Sequence, residues 1–200
     1  MKGIVIVDCG MGNLHSIHAG LCRTGTRMPI TLSDKAADIA AAEKVVLPGD
    51  GHFDSCMKEI RRRGLCDELI RATREKPFLG ICVGMQALYE SSEEGREKGL
   101  GVLAGSVLGL PPTANKIPHM GWNETRRRKT HAILDNIPDD TRFYFIHSYY
   151  VPPDENCVAE TEYGVSIAAV IGRDNLWATQ FHPEKSGAHG IQILKNFVAN

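Results

Sequence analysis

The stretch FLGICVGMQALY, residues 78 to 89, places Cys82 between Gly80 and Gly84 where a short apolar run gives way to a helical pattern. A strand that turns sharply into a helix sets its turn residue at the carboxyl end of the sheet, where ligands bind in open α/β folds. Two readings of Cys82 follow. One is a core thiol closing a buried strand. The other is a nucleophile: a strained turn needs neighbours without bulky side chains, as in a G-x-S-x-G elbow, and a helix N-terminus favours the thiolate. The segment alone leaves both open.

On the amino-terminal side, GIVIVD, MPITL and KVVLPGD read as strands. Between them LHSIHAGLCRTG and SDKAADIAAA carry helical patterns, with Gly25 a stop for the first and Ser33 an N-cap for the second. One or two helices broken near Gly64 then lead to the strand that ends at Cys82. Such alternation predicts a parallel sheet covered by helices. After Gly99 the pieces shorten to GSVLGL, FYFIHSYY, CVAETEYG, SIAAVIG and NLWATQF, separated by Gly, Pro and Asp/Asn turns. These predict an antiparallel extension of the same sheet, closed by a helix over about residues 190–198. The expected class is therefore α/β, an open, mixed, mainly parallel sheet flanked by helices. No repeat or linker divides residues 1–200, which are expected to form a single domain.

Composition excludes several function classes. With 42% hydrophobic and 24% charged residues and a net charge of -1, nothing points to a nucleic-acid or membrane partner. No apolar run approaches the roughly 20 residues of a membrane helix, and the start MKGIVIVDCGMG has Asp8 inside it, unlike a signal peptide. The expected location is the cytoplasm. The six cysteines are scattered through apolar segments with no C-x-x-C pair, which predicts reduced thiols rather than disulfides or a zinc ribbon. The basic runs at residues 61–63 and 126–129 read as a solvated helix face and a polar turn.

Near the other end, WATQFHPEKS holds His182 and Glu184 two apart in an apparently extended segment, hence on one face, with Pro183 fixing the backbone between them. An imidazole held by a carboxylate is the general base that a thiol needs, and its conjugate acid can protonate a leaving amine. A metal site built from His182, Glu184 and His189 lacks the helical His spacing that would support it. A third piece, LPGDGHF at residues 47–53, ends an apolar strand in Gly49, Asp50 and Gly51. It reads either as a simple turn or as a loop whose backbone N–H groups point into a site, as an oxyanion hole requires.

Taken together, PGDG, GICVGMQ and FHPE resemble the class I glutamine amidotransferases, which have a flavodoxin-like fold and release ammonia from glutamine. DCGMGN, HMGWN, FIHSYY and QFHPEKS narrow the resemblance to the glutaminase subunits of imidazole glycerol phosphate synthases, over essentially the whole chain. The resemblance implies a Cys82–His182–Glu184 triad and oxyanion donors from Val83 and the loop at Gly49, Asp50 and Gly51. It implies a glutamine pocket lined by Gln86 and Glu94, with the backbone of His147, Ser148 and Tyr149 at the amino-acid end. Asn13, Asn123 and Lys185 would face a (β/α)8-barrel cyclase subunit in a heterodimer. It implies no cofactor and no metal. Three positions depart from the family's usual residues: Asp50 stands for a valine, Cys9 for a tyrosine and His15 for an arginine, the last two expected near the partner surface. Two other readings compete. An α/β-hydrolase type of cysteine hydrolase would place its acid before the histidine, opposite to the order here. A partner-binding subunit with a decayed glutaminase draws support from Asp50 alone.

Overall fold

The computed structural model describes residues 3–10, 12–114 and 116–200, so Met11 of the GMGN motif lies outside it. In the first half, β1 (Ile4–Val7), α1 (Leu14–Cys22), β2 (Ile30–Ser33), α2 (Ala36–Ala41) and β3 (Lys44–Gly49) follow in turn. Then come α3 (Phe53–Arg62), α4 (Cys66–Glu75), β4 (Phe78–Cys82) and the short α5 (Val83–Gln86). All residues of β1, β3 and β4 are buried, as strands covered on both faces must be. In α3 the inward residues are Phe53, Cys56, Met57 and Ile60, the i, i+3, i+4, i+7 stripe of a helix with one core face. Gly64, with φ +67°, separates α3 from α4. Ser33 is the last residue of β2 rather than a helix N-cap: Lys35 occupies that position. The Ser33 hydroxyl still accepts from Lys35 N–H at 3.1 Å and donates to Asp38, so it ties the helix start from two residues upstream.

The second half contributes β5 (Ser91–Ser92), β6 (Ser106–Gly109), β7 (His119–Arg127), β8 (Thr141–His147) and β9 (Tyr149–Tyr150). It continues with β10 (Cys157–Glu162), β11 (Ser166–Arg173), β12 (Leu176–Thr179) and α6 (Gly187–Ala199). Nine strands form one sheet in the order β2-β1-β3-β4-β12-β11-β10-β7-β8, and β5, β6 and β9 form a small second one. Pairing is parallel from β2 to β12 and antiparallel from β12 to β8. β12 is thus the seam, parallel to β4 on one side and antiparallel to β11 on the other. α1 packs with α6 and α2 with α4, as the right-handed crossover rule expects of helices on opposite faces of the sheet. Residues 126 and 127 close β7, with Arg127 paired to Asp139, so the expected polar turn is confined to the bend at 128 and 129. Residues 61–63 close α3, and their guanidinium groups engage Glu97, Glu59 and Asp34.

Candidate active site

Strand register brings the carboxyl ends of the central strands β3, β4 and β12 together. Gly49 pairs with Cys82 across β3 and β4, and Thr179 pairs with Ile81 across β12 and β4. One further residue along β12 is Gln180, level with Cys82, and His182 follows. Cys82 itself is buried and sits at φ 54°, ψ -113°, a left-handed conformation that costs an L-residue about 1–3 kcal/mol. The turn is compact. A Cβ on Gly84 would lie 1.9 Å from the Leu47 carbonyl oxygen, and one on Gly49 would lie 2.6 Å from Gly84 N, so neither position admits a side chain.

His182 begins a short 3-10 turn, Pro183–Lys185, so the histidine and Glu184 meet through a turn and not along the extended segment that their spacing suggested. The backbone of His182 is fixed: its N–H donates to Tyr144 C=O at 3.0 Å, and its own carbonyl accepts from the Ser186 hydroxyl at 2.7 Å. Its Nδ1 lies 2.7 Å from Glu184 Oε1, and both side chains are almost wholly buried. Burial alone would lower the histidine's pKa. The opposing charge of the Cys82 sulfur, then Glu184, outweighs burial and pushes it up to about 10. Among the described residues, Nε2 of His182 is buried with no hydrogen-bond partner. Catalytic hydrogen bonds often tighten only when substrate is bound.

The cavity at Cys82 is lined by Asp50, Gly51, Val83, Gln86, Glu94, Ile146, His147, Ser148 and Tyr149, which brings together the residues expected at the oxyanion and the pocket except Gly49. Its volume is about 40 Å³, room for a few waters and less than a glutamine. A larger cavity of about 290 Å³ between β7 and β10 contains none of the triad. Glu94 reaches the pocket from a loop and accepts from Phe53 N–H at 2.7 Å, capping α3 as well. Asp50 turns its carboxylate onto its own loop, accepting from Gly51 N–H at 3.1 Å, and so occupies one of the candidate oxyanion donors. Gln86 donates to Tyr149 C=O at 2.9 Å and to Gln180 Oε1 at 3.0 Å. Gln180 went unrecognised as a site residue. Its nearness to Cys82 depends on the β12–β4 register, although its position two residues before His182 could have flagged it.

The residues expected at a partner surface are placed unequally. Asn13 is exposed and caps α1, accepting from Ser16 N–H, while Lys185 is half-buried. Asn123 turns its amide inward to Glu162 C=O at 3.0 Å and to His119 at 3.3 Å. His15 is exposed, but Cys9 is fully buried beside Pro48 C=O and Cys56, beneath the glycine loop and away from any surface. Among the described residues no group of three His, Cys, Asp or Glu side chains is arranged to hold a metal ion, and no helix is long and apolar enough to cross a membrane.

Residues 5–200 match the family model of glutamine amidotransferase class-I. The chain is 47% identical to the imidazole glycerol phosphate synthase subunit HisH of Dechloromonas aromatica, over 98% of this chain and 95% of that one. It is 42% identical to the HisH subunit of Aromatoleum aromaticum, over 100% and 99%. Among solved structures, a glutamine amidotransferase superposes with a TM-score of 0.75 at 19% identity, covering 98% of both chains. A glutamine amidotransferase from Thermotoga maritima does so with a TM-score of 0.63 at 18% identity, covering 95% of this chain and 78% of that one. Cysteine elbow, buried His–Glu pair, mixed sheet and full-length likeness agree: the chain belongs to the class-I glutamine amidotransferases, among the HisH subunits.

Proposed function

We propose that this chain is the glutaminase subunit of an imidazole glycerol phosphate synthase, hydrolysing glutamine and passing ammonia to a (β/α)8-barrel cyclase subunit in the cytoplasm. The observation that carries the reading is the strained Cys82 beside a buried His182 whose Nδ1 is held by Glu184. The thiolate attacks the carboxamide carbon of glutamine, and the resulting oxyanion takes N–H donors from Val83 and the glycine loop. His182, as imidazolium, gives its Nε2 proton to the departing nitrogen as the C–N bond breaks, releasing ammonia. Water then attacks the thioester carbon, His182 accepts its proton, and the C–S bond breaks to free glutamate. Each oxyanion donor is worth on the order of 3 kcal/mol of transition-state stabilisation.

The small cavity and the Asp50–Gly51 hydrogen bond support a further element of this reading: the isolated chain is a poor glutaminase, and the partner opens the pocket and turns a loop N–H inward. Residues 1–200 act as one glutaminase domain, with Asn13 and Lys185 toward the cyclase. The deciding experiment measures glutamate release by the chain alone, with the cyclase, and with the cyclase carrying its nucleotide ligand. Release that depends on Cys82 and rises with the loaded cyclase is expected. Release that persists in Cys82→Ala ends the reading.

A further inference from the structure

We propose that Gln180 is a fourth catalytic residue: its side-chain amide donates to the Cys82 sulfur and stabilises the thiolate, with an orientation fixed by a chain of buried polar groups running to β7. This rests on Cys82 being the nucleophile. Gln180 is fully buried, and its Nε2 lies 3.7 Å from Cys82 Sγ. The thiol form can also donate to Ile146 C=O at 3.8 Å, a bond the thiolate cannot make. The two contacts therefore act oppositely: Ile146 favours the protonated sulfur and Gln180 the ionised one.

An amide can turn its oxygen and nitrogen end for end, so the direction of this hydrogen bond depends on what fixes the amide. Tyr149 C=O can only accept. Gln86 Nε2 and His147 Nδ1 approach it, each at 2.9 Å, so both are donors. Gln86 uses its second N–H toward Gln180, which must present Oε1, and Nε2 of Gln180 is left facing the sulfur. His147 carries its proton on Nδ1, so its Nε2 accepts from His119 Nδ1 at 3.0 Å. His119 Nε2 in turn accepts from Asn123 Nδ2 at 3.3 Å. Both rings are buried, and His119 is stacked on Phe145 and Tyr163, which holds the chain in place. Reversing the buried amide of Gln86 or Gln180 would set two acceptors or two donors face to face, so this part of the network has one orientation.

The test follows alkylation of Cys82 by iodoacetamide, a reagent smaller than glutamine, in the complex with the ligand-loaded cyclase as a function of pH, with the modified cysteine identified by mass spectrometry. In Gln180→Met, which keeps length and loses the donor, the midpoint of the rate profile rises by about one pH unit. The rate at neutral pH falls about tenfold, while the high-pH plateau is retained. Gln180→Glu, isosteric and anionic, moves the midpoint at least as far and supplies the reading if the methionine variant fails to fold. Gln86→Met frees the Gln180 amide to turn and shifts the profile in the same direction by less. Superimposable profiles for wild type and either folded Gln180 variant overturn the inference. Glutamate release that persists in Cys82→Ala would instead strike the glutaminase reading itself, so the two failures are distinguishable.

Discussion

The left-handed backbone of Cys82 lifts its sulfur to the lip of the sheet, and the residue-scale consequence is a division of labour with His182 and Glu184. Replacing Cys82 by Ala or Ser is expected to abolish glutamate release while leaving the thermal unfolding midpoint and partner binding close to wild type. A glutamine-mimicking electrophile should label Cys82 alone among the six thiols. His182→Asn should lower turnover by about 10²–10⁴-fold. Glu184→Gln removes orientation and charge but leaves the base, so its loss is smaller, and steady-state kinetics of both variants check the order. His182 also makes stability depend on pH. Its pKa is raised in the folded protein, so its contribution is fully present below the unfolded value near 6.5 and is lost as pH rises toward about 10. Urea denaturation across that window should show wild type losing stability relative to His182→Asn.

At the scale of elements, the elbow depends on β3 and α5 touching backbone to backbone. Gly84→Ala drives a methyl group into Leu47 C=O and is expected to cost about 3 kcal/mol, lowering the unfolding midpoint by roughly 6–12 °C in calorimetry. The β7–β8 pair carries the opposite pH signature to His182. Burial depresses His119 to about 4, and burial together with His119 depresses His147 to about 3. Their contribution is present above pH 6.5 and is lost as pH falls toward these values, a fall that should be shallower in His119→Phe. The same hairpin shows where sequence ran out. The turn at Cys82 and the nearness of His182 to Glu184 were legible because a glycine-flanked cysteine and His-Pro-Glu encode their geometry within a few residues. β7 was missed because its large apolar residues, Met120 and Trp122, face outward and are more than half exposed, whereas His119 and Thr125 face inward. Alternation of that kind reads as a polar loop. β5 and β9, two residues each, are too short to carry a pattern. Gln180 and the burial of Cys9 depend on cross-strand register, which no local stretch specifies.

For the whole molecule, the small cavity and the Asp50–Gly51 hydrogen bond make the proposed partner control a matter of equilibrium between two loop states. Hundredfold activation by a ligand-loaded cyclase requires about 2.7 kcal/mol of preference for the open one. Asp50→Val removes the carboxylate that holds Gly51 N–H and should raise the basal rate of glutamate release while reducing the activation ratio. Equal rates with and without the loaded cyclase would refute this gating. The seam strand β12 has a further consequence, for the order in which the protein matures. Cys82 is translated before most of the sheet, but His182 and Gln180 arrive with the last strand, which must insert between β4 and β11 to join the two halves of the sheet. Contacts so distant in sequence form late, because closing the long loop precedes the reward. A nascent or refolding chain therefore carries an inert thiol until its architecture is complete, and premature consumption of glutamine is prevented by topology before any partner arrives.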